Sequence, residues 1–405
     1  MRRPSLGTVA SYGTLIAITT AEGTLQFMVP PYLEQAGYPI GWTGLLYGLP
    51  FGIALLCRMP AGLVYHPERA AALVAAAGLG TALTALLLPL APGPLAFGAV
   101  QVLHGAAMAL STTVVVAHFL GTHGSGAGRA RAMSYFAAAM SGGYMIGNGL
   151  SGLIAARWGY GGALVSAALW ALACVALARA LPPVPAHAPA APAPSATRWA
   201  AARRALADPG LVYAAATAFL LNVLFHVPGG FFPLYALGAG LSVAEVGFIR
   251  TAYSFTNTAV RGVCGGLLER VGHKPALTAG IVVQAVGLAA LPLVGGFLPL
   301  LVVNLIVALG RAVGLVANTV SVAADVDPRR VSRGVASGVF NAAQDVGALV
   351  APAFGGLIGQ HFGLESVFRV LPLVAALLFA LMLATVGRAV GSPARLATPA
   401  EVSRG

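Results

Sequence analysis

Charge is what this sequence has least of. Only 8% of its 405 residues are Asp, Glu, Lys or Arg, 58% are hydrophobic, and the mean hydropathy is +0.85. A water-soluble domain carries roughly a quarter charged residues, so this chain lacks the polar surface to cover a soluble fold. Cysteine is scarce too: Cys57, Cys174 and Cys264 are odd in number and form no Cys-x-x-Cys pair. That spacing excludes a disulfide framework or a thiolate metal site and leaves them as packing residues. No Gly-rich loop ending in Lys-Ser or Lys-Thr occurs, which argues against ATP drive. No serine stands in a nucleophile–base arrangement and no metal-ligand spacing appears, so neither an enzyme nor a cofactor is expected.

What fills the chain is a nearly uninterrupted series of apolar runs with short polar or Gly/Pro-rich breaks. Each run is about 20 residues long, the length of a helix crossing a ~30 Å hydrocarbon layer. The runs are continuous rather than alternating, which excludes a transmembrane β-barrel. Spans are expected near 8–30, 43–65, 70–90, 94–118, 131–156, 160–180, 211–233, 243–268, 275–295, 297–324, 333–358 and 363–387. Arg2-Arg3 and the apolar stretch behind it mimic a secretory signal. That stretch runs past Glu22 to Pro30, too long for a signal core, and reads as an uncleaved first span.

The chain also says everything twice. Arg58-x-x-x-Gly62 recurs 203 residues on as Arg261-x-x-x-Gly265. Gly152-Leu153-Ile154 with Trp158-Gly159 recurs 204 residues on as Gly356-Leu357-Ile358 with Phe362-Gly363. Between them Arg129, Ala132, Phe136 and Gly143 map onto Arg333, Ala336, Phe340 and Gly347. Two like halves in tandem are the signature of an alternating-access carrier with its site between the halves. The expected fold is therefore an all-α membrane protein of twelve helices in two pseudo-symmetric six-helix bundles. Its expected parts are an N-terminal bundle over 1–180, a linker over 181–210, a C-terminal bundle over 211–390 and a disordered cytoplasmic tail over 391–405. The linker begins Pro/Ala-rich, an extended tether, and ends in a basic segment with Trp199, Arg203 and Arg204 suited to an anionic membrane surface.

The net charge of +12 could suggest nucleic acid, but its placement does not. Of the 23 Lys and Arg, four lie within spans and two, Arg157 and Arg369, fall towards one face; the other 17 fall at or near the opposite face, with both termini. This is the positive-inside bias, so both termini are expected in the cytoplasm, with the chain in a bacterial inner membrane. No extramembrane module exists to bind nucleic acid. The expected partners are the lipid bilayer, a small solute and protons, and the chain is expected to act as a monomer.

Arg58 and Arg261 sit near the cytoplasmic ends of spans 2 and 8, and the second copy continues Gly265-x-x-x-Glu269-Arg270-x-Gly272-x-Lys274. Glycine lets helices approach closely and the acid can cap a helix or meet an arginine, a latch rather than a substrate site. This pattern resembles the signature loop of the major facilitator superfamily, and the resemblance extends over nearly the whole chain. The first copy is degraded, with Gly62 kept and His66 at the acid position; Gly347-x4-Pro352-x-x-Gly355-Gly356 resembles the family's gating motif in span 11. Gln101 stands where many proton-coupled drug exporters of the family carry Arg.

Polar residues inside the bilayer are costly and therefore informative. Span 1 has Thr19, Glu22 and Gln26 on one face; span 4 has His104; span 7 has Asn222 and His226; span 10 has Asn304, Arg311 and Asn318. The resemblance implies that spans 1, 4, 7 and 10 line a central cavity while 3, 6, 9 and 12 face lipid. Span 8 adds Arg250, Ser254, Asn257 and Arg261 on one face, and span 11 adds Asp345, expected to pair with Arg311 or Arg250. Glu22 is the candidate proton carrier or cation partner, against a buried structural hydrogen bond. His104 and His226 are candidate relays, against satisfied packing residues. Arg311 suits a carboxylate or phosphate. Pro30-Pro31 and Pro228-Gly229-Gly230 mark either bends or helix ends. Two functions remain open at this point: proton-coupled efflux of a drug or metabolite, and carriage of an organic anion or zwitterion through Arg250 and Arg311. A transport-inactive membrane receptor is a remote third.

Overall fold

The computed structural model describes residues 6–122, 127–183, 207–327 and 331–387. The basic linker segment and the tail beyond 387 lie outside these residues. Twelve long helices are present among those described. They are α1 (Leu6–Gln35), α2 (Ile40–Val64), α3 (Ala70–Leu87), α4 (Pro94–Thr122), a stretch Ala127–Ala178, then α7 (Pro209–Gly238), α8 (Val243–Val271), α9 (His273–Ala290), α10 (Phe297–Asp325), α11 (Arg333–Phe362) and α12 (Leu364–Met382). The stretch Ala127–Ala178 breaks at Gly159, whose φ of 72° only glycine adopts freely, into α5 (127–158) and α6 (160–178). All twelve expected spans are thus found.

Nine stretches among the described residues are long and apolar enough to cross a membrane, one of them covering α5 and α6. The two helices left out are α1 and α8, which polar residues dilute; both line the site described below. Large apolar side chains are exposed on α3 (Leu79, Leu83), α6 (Leu169, Leu172), α9 (Val282, Val286) and α12 (Leu373, Leu377), as lipid-facing helices require. The proline pairs do not end their helices. α1 runs through Pro30 and Pro31 to Gln35, and α7 runs through Pro228 to Gly238, so the helix-end alternative is corrected. Proline inside a membrane helix is tolerated where neighbouring helices and side chains satisfy the carbonyls it frees.

The two halves meet through two crossings related by the sequence repeat, α2 on α11 and α5 on α8. A Cβ built on Gly152 of α5 would lie 3.0 Å from the Cα of Gly247 on α8. One built on Gly356 of α11 would lie 3.0 Å from the Cα of Gly44 on α2. The repeat carries Gly44 to Gly247 and Gly152 to Gly356, so the same backbone-to-backbone contact is made twice. Both crossings lie at the N-terminal ends of α2 and α8. At the other ends the halves part. A Cβ on Gly262 or Gly265 would meet nothing within 4 Å, and one on Gly62 would meet only Thr113 of its own half, at 3.9 Å.

Candidate functional site

Between the halves lies a cavity of about 350 Å³, lined from α1, α2, α4, α5, α7, α8, α10 and α11. Its wall carries four guanidiniums, Arg58, Arg250, Arg261 and Arg311, and one carboxylate, Asp345. Gln26, Asn222, His226 and Asn257 also reach it, as does a set of aromatic side chains including Phe51, Tyr144, Phe225 and Tyr253.

Each arginine is held differently. Arg311 donates from Nη1 to the Leu221 carbonyl (2.7 Å) and from Nη2 to Asn222 Oδ1 (3.3 Å), with its guanidinium carbon 4.5 Å from the Phe225 ring centre. Arg58 lies with Nε 2.8 Å from Asp345 Oδ2 and donates from Nη2 to Oδ1 (2.9 Å). Asp345 therefore pairs with Arg58 across the halves, and the expected pairing with Arg311 or Arg250 is corrected. The reason is geometric: the α2–α11 crossing places the two on facing helices. Arg250 rests over the Tyr253 ring at 5.4 Å, and its buried Nε and Nη1 find no acceptor. Nε of Arg261 and Nε of Arg311 are likewise buried without one.

Glu22 and His104 do not line this cavity. Glu22 Oε2 lies 2.9 Å from His104 Nε2, both residues only 3% exposed, inside the N-terminal half. Glu22 Oε1 and His104 Nδ1 lack partners, and small cavities flank the pair on either side. Gln26 and Tyr144 stand between the pair and the central cavity. In the other half, His226 lies with Nδ1 3.0 Å from the Asn222 carbonyl, which fixes Nδ1 as the donor, and packs edge-on against Phe51 and Phe225.

Of the residues expected at the latch, Arg58 and Arg261 line the cavity wall. Gly62, Gly265, Glu269 and Arg270 are exposed at the parted end, Gly272 turns the chain at φ 84°, and Lys274 lies 3.8 Å from Asp325, which also meets His273 at 3.0 Å. Gly347 packs on the Phe219 carbonyl of α7 and Pro352 on Gly48 of α2. Gln101 ties α4 to α2 by donating to the Leu46 carbonyl (2.9 Å). Asn304 and Asn318 share the Arg311 stripe but serve packing, bonding Leu300 and Thr217. Sequence reasoning missed Tyr144 and Tyr253. Tyr253 stands three residues from Arg250, hence on its face, a signal hidden because tyrosine is unremarkable in an apolar span.

The major facilitator superfamily model matches residues 12–347 and 226–402. No curated protein matches the chain by sequence. Among solved structures, the nucleoside transporter NupG, as its D323A mutant, superposes with a TM-score of 0.79 at 15% identity, covering 93% of this chain and all of that one. A bacterial homologue of the human lysosomal transporter Spinster, inward-facing and unoccupied, gives 0.78 at 16% identity, covering 97% of this chain and all of that one. At such identities the likeness is one of fold. Together with the family match it makes this a multi-pass membrane transporter of small molecules rather than an enzyme, and the chain belongs to the major facilitator superfamily.

Proposed function

We propose that the protein is a secondary carrier of an organic anion, working by alternating access across the bacterial inner membrane, with both termini in the cytoplasm. The observation that carries this reading is the Arg250 guanidinium, which lines the cavity while its buried Nε and Nη1 have no acceptor. A buried cation without a partner is expensive in a low-dielectric site. An anionic solute removes that cost, and guanidinium suits carboxylate and phosphate by its paired donors. Asp345, the one carboxylate among the described residues of the cavity wall, is already held by Arg58, so a lipophilic cation has no free counter-charge there. This favours the anion over the drug-cation reading.

The Glu22–His104 pair supports proton coupling. It is buried, apart from the cavity, and each partner has one nitrogen or oxygen left over to exchange a proton. The halves over 1–180 and 211–390 would rock about the two glycine crossings, and the parted end, which bears the basic loops, would face the cytoplasm.

The test is ligand-dependent thermal stabilisation of the purified full chain, with organic anions, zwitterions and lipophilic cations compared in wild type, Arg250→Gln and Arg311→Gln. Stabilisation by anions that both changes abolish supports the reading. Stabilisation by cations that survives both changes contradicts it and favours proton-coupled drug efflux.

A further inference from the structure

The sequence repeat relates the α2–α11 crossing to the α5–α8 crossing, and it predicts a second ion pair that is not there. In the register that carries Gly143 to Gly347, Asp345 of α11 corresponds to Ser141 of α5. Arg58 of α2 corresponds to Arg261 of α8. Arg58 has its carboxylate 2.8 Å away; the residue that the repeat matches to that carboxylate, for Arg261, is a serine. Ser141 and Arg261 both line the central cavity, and Arg261 Nε is buried without an acceptor.

Arg261 does not stand alone. Arg250 and Arg311 line the same cavity, with their guanidinium carbons 5.4 Å from the Tyr253 ring centre and 4.5 Å from that of Phe225. His226 lines the same cavity and can add no negative charge. Three guanidiniums thus line one cavity, with no carboxylate among the described cavity-lining residues left to balance them. One negative charge would leave most of that excess in place, whereas two satisfy donors on both α8 and α10.

Building on the anion reading above, we infer that the cavity wall bearing Arg250, Arg261 and Arg311 takes a solute with two negative charges, a dicarboxylate or a phosphate monoester. The second charge fills the place that Asp345 occupies in the symmetry-related pair. Arg261 is then the residue that sets charge number, and Arg250 with Arg311 holds the first anionic group.

The experiment compares binding of succinate, butyrate and propyl phosphate to the purified full-length protein at pH 7.5, by calorimetry, in wild type, Arg261→Gln and Ser141→Asp. At that pH succinate and the phosphate monoester are largely dianions, and butyrate, of equal carbon length to succinate, is a monoanion. The expected result is a preference for at least one dianion over butyrate of roughly tenfold or more, collapsing towards unity in both variants. Ser141→Asp is the sharper arm, because it restores the missing carboxylate and competes with the solute's second charge without deleting a cation. Preference for succinate alone identifies a dicarboxylate site, and preference for propyl phosphate alone a phosphate site; either supports the inference. Equal binding of butyrate and both dianions overturns it while leaving the anion reading standing. Binding of none of the three, with lipophilic cations bound instead, overturns both.

Discussion

Arg58 and Asp345, 287 residues apart in the chain, form a hydrogen-bonded ion pair that joins the N-terminal half to the C-terminal half beside the central cavity. Such a pair must break or slide when the halves rock, so it weights the equilibrium between conformations as well as the stability of this one.

Removing one partner leaves the other uncompensated. Asp345→Asn should lower stability by about 1–3 kcal/mol, less than the roughly 3–5 kcal/mol of a fully buried pair, because the Arg58 side chain is 35% exposed. The double variant Arg58→Gln with Asp345→Asn should recover much of that loss. Thermal denaturation of the four proteins of this cycle measures the coupling, and additive losses would show that the pair contributes nothing.

The Glu22–His104 pair should behave as one unit. Glu22→Gln and His104→Gln are each expected to abolish the dependence of transport on an imposed pH gradient while the protein still folds and binds solute. The double variant should be no worse than either alone, since members of a unit are not additive. Uptake into proteoliposomes with and without a pH step checks this, and an undiminished gradient dependence in Glu22→Gln would remove the pair from the coupling.

The glycine crossings should be sensitive to volume. A Cβ on Gly44 would run into the Pro352 carbonyl oxygen, and one on Gly152 would meet Gly247. Gly44→Val or Gly152→Val should force the halves apart at the sealed end and raise labelling of a cysteine placed beside the crossing. Gly262→Val, at the parted end where nothing lies within 4 Å, should leave labelling at the sealed end as in wild type. Equal labelling in all three variants would show that the seal does not depend on these contacts.

How far the sequence could be read depended on the physics behind each feature. The twelve helices were legible because a bilayer sets their length and because Arg58/Arg261 and Gly152/Gly356 repeat in register. The α1, α7, α8 and α10 stripes were legible because intramembrane polar residues are few, and Gln26, Asn222, His226, Arg250, Asn257 and Arg311 do meet at one cavity. Partner choice was not legible. Helical spacing says which face a residue takes, not which helix packs there, so Asp345 was assigned to Arg311 or Arg250 when the α2–α11 crossing gives it Arg58. Glu22 shares a face with Gln26, yet its carboxylate turns inward to His104, a rotamer-level outcome that spacing cannot express. Arg58 and Arg261 read as latch residues because their motif lies at the helix ends, whereas long side chains carry their charge back into the cavity.

The most direct test of the account is charge movement in proteoliposomes on a solid-supported membrane, with rapid jumps of organic anions and then of lipophilic cations. The account predicts transient currents with anions, none with cations, and loss of the anion signal in Arg250→Gln. Currents evoked by lipophilic cations and unchanged in Arg250→Gln would contradict it.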